Sequence, residues 1–437
     1  MTKYVPKMTE KHTRFYILLS CLLVLLMIRY GLQIGIPRAV LTAIIALIAV
    51  SGSRNEILAI AMCCIPLHEA VDFFYVLVAC AGAYVIKNNK KVRINLGVCL
   101  TLLIILWELL HCFDPGFSVL VFLTSIIPLI FLAVILCVDV SDVDYPFVVR
   151  VMALVVAATC VILLTNLIVR ANFNIIAAVE GLRRLGLASK EDDVMLGGAL
   201  NPNSLGIICV LAAAGLFQLR TVKNNKKIDI VFVICLITFG ALTSSRTFLA
   251  CLILMVLLLF FSQPGGFWKK VRLLISCAIL LCIVLLLLYW LFPDLLEYYV
   301  KRFQDTDLTT GRGELMTIYH KYIMDNVDVL FFGIGRHNYT DKLTKVYKIA
   351  KDIPHNSVQE IIVAWGIPGL ILFSLLLMFL VRQARKYNWH LALLNYIPLL
   401  IILAKSMAGQ LLISHYTMLA LSYAYLSLCQ NFQLKEE

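Results

Sequence analysis

Charge is what this sequence has least of. Of its 437 residues, 15% are charged and 61% hydrophobic, where a soluble globular domain carries about 25% charged residues. The mean hydropathy is +0.91. No internal repeat of solenoid type and no low-complexity tract interrupts the chain. None of the 14 cysteines sits in a CxxC pair or at Cys/His zinc spacing. They lie in or at the ends of apolar segments, where they act as small packing residues. These absences exclude a soluble enzyme, a zinc module and a repeat scaffold. The absence of a polar pore stripe and of a soluble signalling domain argues against a channel or sensor.

What is present is a succession of apolar runs, several reaching about 18 residues or more, the length that spans a bilayer. The expected fold is all-α: a polytopic bundle of about 12–14 membrane helices, treated as one membrane domain over residues 1–437. The runs read in order as Phe15–Leu32, Ala39–Val50, Ile57–Leu67, Val71–Ile86, Leu96–Cys112, Phe117–Val138, Phe147–Val169, Leu205–Leu219, Ile228–Leu242, Phe248–Phe261, Leu273–Phe292, Val358–Val381, Leu391–Leu403 and Leu411–Cys429. The formal net charge of +12 is a topology signal and not a nucleic-acid footprint, because Lys and Arg concentrate in short cytoplasmic loops. Lys87 to Arg93, Arg220 to Lys227, Lys269 to Arg272 and Arg382 to Lys386 all fit that pattern. Phe15–Leu32 is too long for a signal-peptide core, so it reads as an uncleaved first helix. Both termini are then expected in the cytoplasm.

Two polar stretches, 170–198 and 293–357, fall on the opposite, outer side. The second is too long to be a mere connector. It contains Thr310-Gly311-Arg312, Phe332-Gly333-Ile334-Gly335-Arg336 and, at its close, Pro354-His355-Asn356-Ser357. A helix is expected over Gly313–Met324, and an interfacial amphipathic helix through Ile175, Ile176, Val179, Leu182 and Leu185. Asp142-x-Asp144 has the look of a metal-binding pair, but it falls on the cytoplasmic side, away from every other motif, and reads as a solvated turn.

The candidate functional residues are polar groups where a membrane protein rarely places them. Arg246 stands in a minimal outer turn, Thr243-Ser244-Ser245-Arg246-Thr247, with hydroxyl residues on both sides of it; a guanidinium can fork onto phosphate oxygens. Arg312 opens a helix, whose N-terminus favours anions. His355 stands at the junction of the long loop and a helix, where a neutral imidazole can take a proton near pH 7.

Four pieces occur in one order: Asn201-Pro202-Asn203, Ser245-Arg246-Thr247, Thr310-Gly311-Arg312, and Gly333-x-Gly335 followed by His355-Asn356-Ser357 and Gly366-Ile367-Pro368-Gly369. In this order they resemble the O-antigen ligase and polymerase superfamily, specifically the Wzy-type polysaccharide polymerases. The resemblance implies a glycosyltransferase of the bacterial plasma membrane that joins undecaprenyl-pyrophosphate-linked repeat units at the outer face, with no cofactor and no metal. It implies that Arg246 and Arg312 bind the pyrophosphate and that His355 activates or orients the acceptor. Asn201 and Asn203 would order the cavity, with Arg183, Arg302 and Arg336 as supporting residues. Partners by the same analogy are a flippase and a chain-length regulator, with membrane lipid around the bundle.

Two other readings compete. A ligase would handle pyrophosphate with the same residues but pass the polymer to lipid A core or to protein. A lipid-linked sugar flippase would carry its ionisable residues at mid-membrane, often on broken helices; here they cluster at one face.

Overall fold

In hydrocarbon every backbone N–H and C=O must be satisfied within the protein, so an apolar run of spanning length folds as a helix. The computed structural model describes residues 12–88, 92–113, 119–140, 142–180, 182, 184–186, 201–221, 226–262, 266–291, 294, 297, 300–301, 304, 312–336, 356–384, 389–407 and 415–430. Among them there are helices and no strand. They are α1 (Thr13–Leu26, continued by a π turn to Gly31), α2 (Arg38–Ser51), α3 (Arg54–Leu67), α4 (Phe73–Ile86), α5 (Leu96–Leu110), α6 (Val119–Leu136) and α7 (Tyr145–Arg170). The short α8 (Ile175–Glu180) precedes α9 (Pro202–Thr221), α10 (Lys227–Leu242), α11 (Arg246–Ser262) and α12 (Phe267–Leu291). Next come α13 (Arg312–Asp325), α14 (Val327–Phe332), α15 (Ser357–Ala384), α16 (Trp389–Met407) and α17 (His415–Leu428).

Among the described residues, six helical stretches are long and apolar enough to cross a membrane: Thr13–Gly31, Leu96–Phe113, Tyr145–Arg170, Pro202–Thr221, Lys270–Leu291 and Ser357–Gln383. Shorter apolar helices, α2, α4 and α11 among them, pack between these. The chain is an all-α polytopic membrane protein. α7 and α9 are the most enclosed, and α12 the least. The exposed Ile275, Ile279 and Leu286 of α12 suit lipid contact.

Helices α9 and α10, α5 and α15, and α11 and α16 pair as antiparallel neighbours, while α3 packs along α7 in the same direction, Asn55 at its start meeting Asp144 N at the start of α7 (3.1 Å). The bundle therefore has two ends with different chemistry. One end is tied by cations. Arg150 forks onto Asp229 (Nε–Oδ1 and Nη2–Oδ2, both 2.9 Å). Arg54 reaches Asp142 at 3.4 Å, and Lys87 Nζ donates to the carbonyls of Val50 and Gly52. The Asp142-x-Asp144 pair is divided here. Asp142 meets Arg54, while Asp144 accepts from Phe147 N (3.1 Å) and caps α7.

The other end carries α8, the segment 182–186, the α10–α11 turn, and α13–α14. The amphipathic helix expected through Leu185 stops at Glu180. Leu185 N–H bonds instead to the carbonyl of Leu242 (2.8 Å), so Leu182 and Leu185 are buried against the bundle and not laid on an interface. The helix expected over Gly313–Met324 is α13, one residue longer at each end.

Candidate active site

Two assemblies stand at this second end, one built on a turn and the other on a broken helix.

The turn joins α10 to α11. Thr243 Oγ1 donates to the carbonyl of Gly240 (2.6 Å), closing α10. Ser244 takes a left-handed φ of 48°, which reverses the chain in a minimal loop. Ser245 then caps α11, its Oγ accepting from Phe248 N (3.2 Å). The same hydroxyl donates to Asn203 Oδ1 (2.8 Å). Arg246 is thereby fixed at the first position of α11, half-buried, where the exposed N–H groups and the positive helix end add to its own charge.

Asn203 is the hub. Its Oδ1 accepts from Ser245 Oγ and from Arg184 Nη2 (3.1 Å), while Arg184 Nε donates to the carbonyl of Thr243 (3.1 Å). Asn201 Oδ1 accepts from Asn203 N (2.9 Å), an Asx turn that starts α9 with Pro202 at its first position. Next on α9, Ser204 Oγ meets Tyr416 Oη at 2.6 Å, and the Tyr416 ring lies over His68, centroids 4.5 Å apart. Burial pushes the His68 imidazole down to about 4, so it is neutral near pH 7. Its Nδ1–H is assigned to the carbonyl of Ile65 (2.9 Å), since a carbonyl only accepts.

The second assembly is a strap over a helix break. α15 carries a left-handed Gly366, φ 65° and ψ −168°, followed by Pro368. The carbonyls of Val363 and Ala364 accept from Ile334 N and Gly335 N, both at 2.9 Å. The two backbones cross so closely that a Cβ on Gly333 would lie 2.3 Å from Ala364 O, and one on Gly366 would lie 2.6 Å from Phe331 O. Gly333, at φ 76°, and Gly366 are thus both required at the crossing.

Glu108, near the end of α5 and fully buried, closes the strap. Its carboxylate accepts from Arg336 N (3.1 and 3.2 Å) and from Trp365 Nε1 (2.6 Å). Trp107 Nε1 in turn donates to the carbonyl of Trp365 (2.9 Å). Burial pushes the Arg336 guanidinium down to about 10, against the pull of Glu108 and Glu360, the carboxylates beside it. Glu360, in the first turn of α15, is 4% exposed. Its neighbour Gln359 donates from Nε2 to the carbonyl of Met316 (2.9 Å), which docks α13 against that turn.

Of the residues expected from sequence, Arg246, Asn201 and Asn203 come together around the α9–α10–α11 junction. Arg336 belongs to the strap. Arg312 is the first residue of α13. Arg183, Arg302 and His355 lie outside the described residues. Sequence reasoning missed Arg184, Glu108, Glu360 and the buried Lys405 near the end of α16. A signal existed for three of these. Glu108 and Glu360 are charges within apolar runs, and Lys405 stands two residues past the end of one; such charges are costly unless a partner or cavity receives them. Among the described residues no group of three or more His, Cys, Asp or Glu could hold a metal ion.

Together these elements offer cations and helix N-termini for an anion, and buried carboxylates for a proton, at one end of a membrane bundle. Residues 230–374 match the family model described as O-antigen ligase, which supports a relation to the O-antigen ligase/polymerase superfamily. The match runs from the first turns of α10 into α15. It includes Arg246, Arg312, Arg336, His355 and Glu360, but not Asn203, Arg184 or Glu108. No curated protein matches the chain.

Proposed function

We propose that this protein is a polysaccharide polymerase: a glycosyltransferase that joins undecaprenyl-pyrophosphate-linked oligosaccharide units at the outer face of the bacterial plasma membrane. The observation that carries the reading is the fixed position of Arg246. It heads α11 inside the family-matched stretch, in a turn held by Ser245, Asn203 and Arg184. The leaving group of the reaction is a lipid pyrophosphate, whose charge grows as its bond to the sugar breaks. Guanidinium groups and helix N-termini held in place before the reaction stabilise that charge most in the transition state. Arg246 and Arg312 are assigned to the pyrophosphate, with Arg183, Arg302 and Arg336 in support. Asn201 and Asn203 keep the turn in register. His355 activates or orients the acceptor hydroxyl. The whole chain acts as one membrane domain with both termini in the cytoplasm, and the stretches 170–198 and 293–357 face outward. A flippase would supply the lipid-linked units, and a chain-length regulator would act on the product.

The ligase reading is the second, and the description of the matching family favours it. It shares donor chemistry and differs only in the acceptor, lipid A core or a protein in place of another lipid-linked unit.

Purified protein in detergent, given lipid-pyrophosphate-linked repeat units without nucleotide sugar or metal, separates the readings. A product ladder on a gel that disappears in Arg246→Ala and His355→Ala supports the polymerase. Transfer of a preformed polymer to a lipid or protein acceptor, with no ladder, makes it a ligase. Neither product, with lipid-linked units changing leaflets in liposomes, overturns the enzyme reading.

A further inference from the structure

The strap assembly holds two buried carboxylates, Glu108 and Glu360, beside Arg336, and they are not equivalent. Both oxygens of Glu108 are engaged: the Arg336 backbone N–H and the Trp365 indole N–H point at its carboxylate. Glu360 differs. Its Oε2 is buried and has no hydrogen-bond partner among the described residues. A buried polar atom left unmatched costs on the order of 1–3 kcal/mol, so its presence calls for an explanation. Replacing such a residue by an apolar one would remove the cost, yet the structure invests in the carboxylate: Arg336 is brought beside it by the crossing of Gly333 and Gly366 and by the anchor on Glu108.

We infer that Glu360 is the catalytic base of the transfer reaction, its free Oε2 taking the proton of the acceptor sugar hydroxyl. This inference rests on the reading of transfer between lipid-linked sugars given above. In the step, the acceptor oxygen forms a bond to the anomeric carbon of the donor. The bond from that carbon to the pyrophosphate oxygen breaks, and its electron pair leaves with the pyrophosphate. The hydroxyl proton passes to Glu360 Oε2 and then to water, restoring the carboxylate. Arg336 compensates the charge of the base between turnovers, and Glu108 holds Arg336 in register without competing for the substrate, because its own oxygens are already occupied. Glu360 lies in the turn against which α13 docks through Gln359 and Met316, so the base and the helix begun by Arg312 belong to one packed unit. His355 then orients the acceptor and does not take its proton.

The test uses the full-length protein in detergent with the lipid-linked pool extracted from a host strain lacking it, and undecaprenyl pyrophosphate as the binding probe. Glu360→Gln, nearly isosteric, is expected to lower turnover by about 100-fold or more, the range of a lost general base, with affinity for the probe within twofold of wild type. Added formate is expected to restore turnover to Glu360→Ala, where it fills the place of the carboxylate. Glu360→Asp, kept in reserve should the amide fail to fold, is expected to retain measurable turnover. Turnover of Glu360→Gln within tenfold of wild type overturns the assignment, and so does a loss of probe affinity that parallels the loss of turnover. Absence of any transfer by the wild type overturns the transferase reading and the base with it.

Discussion

The two ends of the bundle use the same side chain, arginine, in opposite ways. At one end Arg150 meets Asp229 through two 2.9 Å contacts, guanidinium against carboxylate, in a closed fork. At the other, Arg184 places Nε and Nη2 on neutral oxygens, the carbonyl of Thr243 and the amide oxygen of Asn203. A fork closed on a carboxylate fastens two helices, here α7 and α10, and cancels its own field. A guanidinium seated on neutral acceptors is positioned just as firmly, through contacts that carry no opposite charge. The difference separates fastening cations from those that prepare a surface for an anion.

The largest expected effect tests the second kind. Arg246→Ala is expected to reduce transfer by about 100-fold or more, as for a donor aimed at developing charge, while the protein still inserts and elutes as a single species. The comparison breaks if purified Arg246→Ala keeps wild-type turnover. Next comes the fastening kind. Arg150→Ala leaves Asp229 buried without its fork, and breaking a buried pair costs about 3 kcal/mol or more. A lower Tm with unchanged turnover per folded molecule is the expected result. Full stability with lost turnover would place the anion-handling chemistry at the wrong end.

The strap offers an intermediate case. Gly366→Ala puts a Cβ against the carbonyl of Phe331 in a left-handed conformation, a strain on the order of 1–3 kcal/mol. Turnover should fall along with stability, because the crossing also seats Arg336 beside Glu360. Proteolysis around residues 333–336, faster than in wild type, would report the loosened strap; an unchanged pattern together with unchanged turnover would separate the strap from the chemistry.

Sequence reading went furthest where the solvent dictates structure. Hydrocarbon forces helices, so the apolar runs Phe147–Val169 and Ile228–Leu242 reappear as Tyr145–Arg170 and Lys227–Leu242. The place of Arg246 was legible too: a short polar stretch between two apolar runs predicts a minimal turn, and Arg246 stands at its close, opening α11. What escaped was pairing across long separations. Arg336 and Glu108 lie 228 residues apart, and no local pattern in either α5 or the strap points to the other. Between Arg183 and Arg184, adjacent and identical, nothing in the sequence selects the one that reaches Asn203. The Gly-Ile-Pro-Gly stretch announced an irregularity in α15, but not that Ile334 and Gly335 would take up the carbonyls it frees.

The smallest effects sharpen the comparison most, because they match one polar residue at each end. Asn203→Ala removes the oxygen shared by Ser245 and Arg184. Two donors lose their acceptor in a partly buried setting, a cost of about 1–3 kcal/mol, and Arg246, one residue beyond Ser245, loses its fixed start to α11. Turnover should drop by about tenfold with the donor less tightly held, since a misplaced binding group weakens both steps. Asp142→Ala, at the other end, removes a half-exposed carboxylate 3.4 Å from Arg54. A solvent-facing pair contributes at most about 1 kcal/mol, and Arg54 keeps the hydroxyl of Tyr84 at 3.3 Å, so neither Tm nor turnover should change appreciably. If the two substitutions instead produced equal losses of transfer, Asn203 would be one more fastening and the polar turn around Arg246 would lose its claim to the pyrophosphate. If only Asn203→Ala lowers transfer, and adding Arg184→Ala to it costs little more, the three residues Arg184, Asn203 and Ser245 act as one unit whose function is to hold Arg246 in place.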